Sequence, residues 1–245
     1  MPYHDKSSLG QNFIKYPSLV RELLSASNIN RDDTVLEIGS GKGIITKELV
    51  KVAKKVIAVE KDSALAQRTG AIVADFLDFE LPTEKYKVFS NIPFSITAEI
   101  MDKFWSSSSQ PEEMYLIMQN EAAEKFANKG QSAVLYYPWY EVEILGDIDR
   151  TNFTLKPQVK IVLVKFTKRK SAFIKEEDKQ NFKKFVIYNF NYFLKSFTYP
   201  QQKRVEKMYK IAGKKPTEVS LDTWLILYKT FKRIASESGK KLIQE

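Results

Sequence analysis

The segment Thr34-Val-Leu-Glu-Ile-Gly-Ser-Gly-Lys-Gly43, with Ile44 to Val52 behind it, decides the fold. A short apolar run ends in three glycines at alternate positions, and apolar residues then recur at helical spacing, so the stretch reads strand, turn, helix. Val56 to Glu60 follows as a second strand, which makes residues 34–60 one βαβ unit with a right-handed crossover. Outward from this unit, strands are expected at Ala71 to Ala74, Tyr86 to Ser90, Met114 to Gln119, Tyr137 to Ile144 and Val159 to Phe166. Helical stretches lie at Ser95 to Trp105 and Asn120 to Ala127. Alternating strands and helices predict an α/β sheet covered on both faces. The last two strands are joined by Gly146 to Lys156 without a helix, which suggests an antiparallel hairpin closing the sheet. From Glu176 onward the chain reads as helical, with breaks at Pro200 and at Gly213 to Pro216. A boundary near Lys170 gives two domains, 1–170 and 171–245.

The 245 residues contain no cysteine and one histidine, His4. Disulfides, thiolate-held metals, thiol nucleophiles, histidine zinc sites and a Ser/His/Asp triad in the body of the chain are thereby excluded. Chemistry must lean on a reactive cofactor or on positioning. No apolar run approaches the ~18 residues of a membrane span, and the start has no apolar signal core, so a cytoplasmic protein is expected. Charge is uneven. Residues 168–245 carry 19 Lys/Arg against 8 Asp/Glu, whereas residues 1–167 carry 20 against 22. That division reads as a near-neutral catalytic unit joined to a unit that grips a polyanion, or as a well-solvated helical surface.

Glycines at 39, 41 and 43 allow a sharp backbone turn and close approach of a bulky group. The match to a dinucleotide fingerprint is imperfect, because Ile44 stands where its third glycine belongs, and there is no Walker A loop. Glu60 ends the second strand 21 positions after Gly39, where a carboxylate can accept from both hydroxyls of a ribose. Asp75, ending the third strand, can accept from an adenine amino group, and Phe76 or a neighbouring aliphatic can pack on the ring. Each feature alone is a common strand end. In this order and spacing, with Ser40 and Lys61 flanking them, they point to S-adenosylmethionine.

Asn91-Ile92-Pro93-Phe94 closes the fourth strand. Proline directly after a strand has no N–H and holds its predecessor extended, so the Asn91 side chain and the Ile92 carbonyl can both present oxygen acceptors. Two acceptors and a flat ring suit an exocyclic amine on a planar base, with Phe94 stacked on that base. The bland alternative is a strand-terminating turn with a buried Phe.

With these motifs assembled, the chain resembles the rRNA adenine N6-methyltransferases, and most closely the Erm group that modifies 23S rRNA and confers macrolide, lincosamide and streptogramin B resistance. Gln11-Asn12-Phe13-Ile14 resembles the family's N-terminal segment, Glu37 to Gly43 the Erm form of the glycine motif, Asn91 to Phe94 the catalytic motif, and Phe153 to Val159 a proline-containing loop. Leu155 departs from that loop by replacing its first proline, and Glu60 to Asp75 is short, implying a truncated helix. The resemblance implies a Rossmann-like seven-stranded methyltransferase sheet with a small all-α C-terminal domain. It also implies S-adenosylmethionine as cofactor, rRNA as partner, no metal and a monomer. It places Gln11, Asn12, Gly39, Ser40, Gly41, Gly43, Glu60, Lys61, Asp75, Phe76 and Asn91 at the cofactor, and Asn91, Ile92, Pro93 and Phe94 at the target base. The sister group that dimethylates 16S rRNA shares these motifs, and Met118 to Glu124 stands nearer to it. A nucleic-acid binder on the same fold, and a methyltransferase for DNA adenine or a protein amide, are the other readings.

Eight aromatic residues fall between Phe182 and Tyr199. Most are expected in the small domain's core, with Phe182, Phe185 and Phe193 near one helical face, rather than forming an RNA-stacking platform. Lys168, Arg169, Lys170, Lys183, Lys184, Lys203, Arg204 and Lys207 are the candidates for phosphate contacts, with Lys195 and Lys210 beside them.

Overall fold

The computed structural model describes residues 12–128 and 130–244. Its contacts separate two compact units. One comprises the described part of Met1–Ala123 with Val142–Lys168, the other Glu124–Glu141 with Arg169–Glu245. The expected boundary near Lys170 stands beside this division, in which Glu124–Glu141, with the first two residues of β6, is grouped with the helical segment Arg169–Glu245.

In the first unit, α1 (Pro17–Ser25) precedes β1 (Thr34–Ile38), α2 (Ile44–Val52), β2 (Lys55–Glu60), α3 (Ser63–Thr69), β3 (Ile72–Val73), β4 (Lys87–Asn91), α4 (Thr97–Ser106) and β5 (Glu113–Gln119). The chain continues through α5 (Asn120–Ala127), α6 (Gln131–Tyr136), β6 (Tyr140–Ile148) and β7 (Ile161–Lys168). The strands form one seven-stranded sheet in the order β3-β2-β1-β4-β5-β7-β6. Strands β1 to β5 pair in parallel, and β7 runs antiparallel to β5. All five residues of β1 are buried, as expected of a strand covered on both faces. Val35, Leu49, Phe89, Tyr115 and Ile117 share a core with Val20 and Leu24 of α1.

The short helix implied between Glu60 and Asp75 exists and has a cap at each end. The Asp62 carboxylate accepts from the N–H groups of Ala64 (2.9 Å) and Leu65 (3.0 Å), and Gly70 ends α3 in the left-handed region. Two expectations are corrected. The sixth strand starts at Tyr140 rather than Tyr137, because α6 occupies the preceding residues and the chain turns through Pro138, with Trp139 N–H donating to the Tyr136 carbonyl. Pro200 does not break a helix; it sits in the first turn of α8, where a missing N–H costs nothing.

In the second unit, α7 (Lys179–Asn191), α8 (Tyr199–Met208), α9 (Leu221–Ile234) and α10 (Glu237–Leu242) join α6. Phe185 is the hub, its ring 5.0 Å from Phe231, 5.4 Å from Tyr228 and 6.2 Å from Trp224. Among the described residues no helix is long and apolar enough to cross a membrane.

Candidate active site

The site is built where parallel strands end and part. The β1–β4 ladder pairs Val35 with Lys87 and Leu36 with Val88. Beyond it the Ser90 hydroxyl takes over, donating to the Ile38 carbonyl at 2.6 Å and accepting from the Ile38 N–H at 3.3 Å. This is the point where the strand order reverses, the usual place for a ligand crevice in an open α/β sheet. The sequence reading missed Ser90; its only signal is a small hydroxyl within the apolar run Val88-Phe-Ser90.

Gly39, Gly41 and Gly43 all adopt positive φ, at 70°, 52° and 74°. The turn is fastened to β2. Gly39 N–H donates to the Val59 carbonyl at 2.8 Å, and Gly41 N–H donates to Glu60 Oε2 at 2.8 Å. Glu60 Oε1 accepts from Asp62 N–H at 2.9 Å, and the residue is only 5% exposed. The bulky group against the turn is Phe13: a Cβ at Gly41 would come within 2.5 Å of its ring, whereas a Cβ at Gly39 would meet nothing within 4 Å. Ser40 shares a 3.1 Å hydroxyl contact with Thr69, tying the turn to α3.

Asn91 stands at the carboxyl end of β4. Its amide Nδ2 donates to the Asn12 carbonyl at 2.8 Å, which fixes the amide's orientation and leaves Oδ1 as the acceptor. That Oδ1 is buried without a hydrogen-bond partner among the described residues. Buried acceptors are normally satisfied, so this atom marks a place where a donor belongs. Ile92 is buried, and Phe94 is half-buried against the core.

Asn12 and Phe13 are held from the other side by the loop between β6 and β7. Thr154 N–H donates to the Phe13 carbonyl at 2.8 Å, Phe13 N–H donates to Thr154 Oγ1 at 3.2 Å, and Leu155 N–H donates to Asn12 Oδ1 at 3.0 Å. The Leu155 substitution noted in the sequence thus has a structural use, since proline has no N–H to give. Gln11 lies outside the described residues.

Behind the turn, Glu37 is 1% exposed and neither carboxylate oxygen has a hydrogen-bond partner of ordinary geometry among the described residues. Burial pushes its carboxyl up from 4.5 to about 7, with Glu60 adding to the rise and the nearby hydroxyl and N–H of Thr46 opposing it. Asp75 is held below the usual carboxylate range, first by its bond with Lys61 at 2.6 Å and then by the Leu77 N–H at 2.9 Å. Phe76 is turned into the core, its ring 5.5 Å from Phe104. A depression of about 460 Å³ lies on the α2/α3 side of the turn and is lined by Gly41, Lys42, Lys47, Leu65 and Arg68, rather than by Asn91 or Phe94.

The basic candidates divide. Arg169 is committed within its unit: its side chain is 13% exposed, bonded to Glu141 at 2.7 Å and stacked 4.5 Å from Phe173. Lys184 donates to Gln244 Oε1 at 2.7 Å, and Lys203 pairs with Glu206 at 3.0 Å. Lys168 and Lys183 are half-buried; Lys170, Arg204 and Lys207 are exposed.

The family model described as ribosomal RNA adenine dimethylase matches residues 3–232. The rRNA adenine N-6-methyltransferase of Bacillus licheniformis is 33% identical over 177 residues, covering 66% of this chain and 62% of that relative, so the match spans less than two-thirds of its length. The rRNA adenine N-6-methyltransferase of Limosilactobacillus reuteri is 31% identical over 235 residues, with 91% and 95% covered. The ribosomal RNA small subunit methyltransferase A of Natranaerobius thermophilus is 28% identical over 226 residues, covering 77% and 75%. Among solved structures, the 23S rRNA methyltransferase ErmE shares the fold with a TM-score of 0.74 at 23% identity, over 90% of this chain and 99% of that one. On this match and on the seven-stranded sheet, the chain belongs to the ribosomal RNA adenine dimethylase family, a family of S-adenosylmethionine-dependent methyltransferases.

Proposed function

We propose that the protein transfers methyl groups from S-adenosylmethionine to the N6 amine of an unpaired adenine in rRNA, and that the rRNA is 23S. The observation that carries the reaction is the buried Asn91 Oδ1 at the end of β4, which has no partner among the described residues, with a glycine turn, tied to Glu60, at the end of the neighbouring β1.

The residues present fit the cofactor. Gly39 offers open space where a side chain would intrude, and each Glu60 oxygen, already accepting one backbone N–H, keeps lone-pair capacity for a ribose hydroxyl. Asp75 can accept from the adenine amino group while paired with Lys61. Asn12, Ser40, Gly41 and Gly43 frame the turn; Phe76 supports Asp75 from the core. Bound S-adenosylmethionine supplies an electrophilic methyl group.

The target amine is a poor nucleophile, because its lone pair is delocalised into the ring. Asn91 Oδ1 and the Ile92 carbonyl accept its two N–H groups, favour a pyramidal nitrogen and stabilise the positive charge that grows there. Pro93 holds Ile92 extended, and Phe94 stacks on the base, offsetting the few kcal/mol that extrusion costs. The alkylated amine is acidic and releases its proton to water, so the scarcity of histidine is no obstacle.

The 23S assignment rests on the Ser-Gly-Lys-Gly form of the turn and on the short C-terminal unit, and it carries macrolide, lincosamide and streptogramin B resistance with it. Met118 to Glu124 favours the second reading, dimethylation of 16S rRNA. Methyl transfer from labelled cofactor to isolated 23S and 16S rRNA, followed by mapping of the labelled adenine, decides between them. Label in neither RNA would remove both.

A further inference from the structure

We propose that the connection between α7 and α8 is a separate RNA contact that takes unpaired nucleotides by stacking their bases on Tyr192 and Tyr199. This rests on the rRNA reading above and adds to it a surface outside the crevice.

The connection sorts its side chains sharply. Leu194, Ser196 and Phe197 are buried, with the Phe197 ring 5.8 Å from Phe231. Phe193 packs 6.0 Å from Trp224. On either side of these anchors Tyr192 is 59% exposed and Tyr199 72% exposed. The phenylalanines of this stretch serve the core; these two tyrosines contribute little to it. Tyrosine suits an exposed platform, since its ring offers a π face and its hydroxyl remains hydrated.

The backbone carrying them is held firmly. Ser196 Oγ donates to Asn189 Oδ1 at 3.0 Å, and Asn189 Nδ2 donates to the Phe185 carbonyl at 2.8 Å. Gly239 of α10 lies so close to the Ser196 carbonyl that a Cβ would not fit. Rings displayed on a fixed turn lose little freedom when a ligand binds.

Charge along this segment of the chain matches a nucleic acid. The Lys203 ammonium lies 5.7 Å from the Tyr199 ring centre, and Lys195 is near enough to act on Glu206 along with Lys203. Glu206 is the one acidic residue between Tyr192 and Lys210. Among the described residues Lys195, Arg204, Lys207 and Lys210 show no ion pair with a protein carboxylate. Exposed aromatic faces on a segment rich in cations form the usual contact for single-stranded RNA, where bases stack and phosphates are neutralised.

Fluorescence anisotropy with the full chain tests this, using a stem-loop with an unpaired loop and a blunt duplex of equal phosphate count. Tyr192→Ala and Tyr199→Ala should each weaken stem-loop binding about five- to 150-fold, the range that base stacking converts to. Duplex affinity should stay within about twofold, since phosphate contacts are untouched. Tyr→Phe at both positions should retain stem-loop affinity. Unchanged stem-loop binding by the alanine variants, or equal loss on both RNAs, overturns the proposal, as does equal damage from Phe and Ala. Methyl transfer by the unaltered protein to rRNA is scored separately: its absence removes the functional reading, whereas its presence with unchanged tyrosine variants removes only the stacking surface.

Discussion

In the proposed reaction Asn91 is one amide whose two ends have different duties. The Nδ2 end is spent on the Asn12 carbonyl, and the Oδ1 end, without a partner among the described residues, is the proposed acceptor for the substrate amine. Asn91→Ala should therefore keep cofactor affinity within a few-fold and lower kcat by on the order of a hundredfold, the usual loss for one transition-state partner. Isothermal titration set against single-turnover methyl transfer checks both halves, and unchanged turnover refutes the role. Glu37 gives a pH signature. Its carboxyl titrates at about 7 when folded against an ordinary 4.5, so between these values the folded chain holds a proton that the unfolded chain has released. Stability then falls as pH rises from about 4.5 to 7, by up to ~3 kcal/mol, and levels off above. Glu37→Gln should flatten that decline in urea denaturation; an equal decline in the variant contradicts it. The glycines also separate. Gly41→Ala meets Phe13 as well as an unfavourable φ and should cost ~1–3 kcal/mol, whereas Gly39→Ala faces only the φ penalty, roughly 1 kcal/mol. The residue types at the turn and at Asn91 were legible because their spacing is local. Phe13 and Ser90 were not, because each acts on a partner tens of residues away in sequence, and no periodicity records such a pairing.

Among the elements, β1 and β4 have the most consequential junction. Where their backbones stop pairing, one buried hydroxyl bonds both the N–H and the carbonyl of Ile38. Ser90→Ala leaves both unsatisfied in a dry interior and should cost ~1–3 kcal/mol in chemical denaturation; a neutral result would show that water replaces the hydroxyl. The βαβ core could be read directly from the sequence because each strand is a continuous apolar run bounded by turn residues. Tyr137 to Ile144 misled for the opposite reason: aromatic residues ahead of the strand have high strand propensity, yet Pro138 and the packing of α6 claim them for a turn. Pro200 misled because proline at the start of a helix and proline ending one look alike without the preceding cap.

At the scale of the molecule, the segregation of charge carries the clearest expectation. With 19 Lys/Arg against 8 Asp/Glu beyond residue 167, RNA affinity should fall steeply as salt rises. Neutralising Arg204 and Lys207 together should lower the slope of log K against log[salt] by about 0.7 for each phosphate of single-stranded RNA that is no longer neutralised. A flat salt response excludes the phosphate grip. The α/β sheet and the helical C-terminal region followed from the alternation and from the change of period near Lys170. The placement of Glu124–Glu141 did not, because compactness is decided by packing in space rather than by chain order. One long-range tie leads further. Asn12 takes a hydrogen bond from Asn91 on one side and from Leu155, 143 residues away, on the other. Leu155→Pro would delete the second while leaving the glycine turn and Asn91 unaltered in sequence, so the orientation of the Asn91 amide is set partly by the loop between β6 and β7. A change of residue in this surface loop would in that way reach the amide at the end of β4 without altering any side chain of the glycine turn.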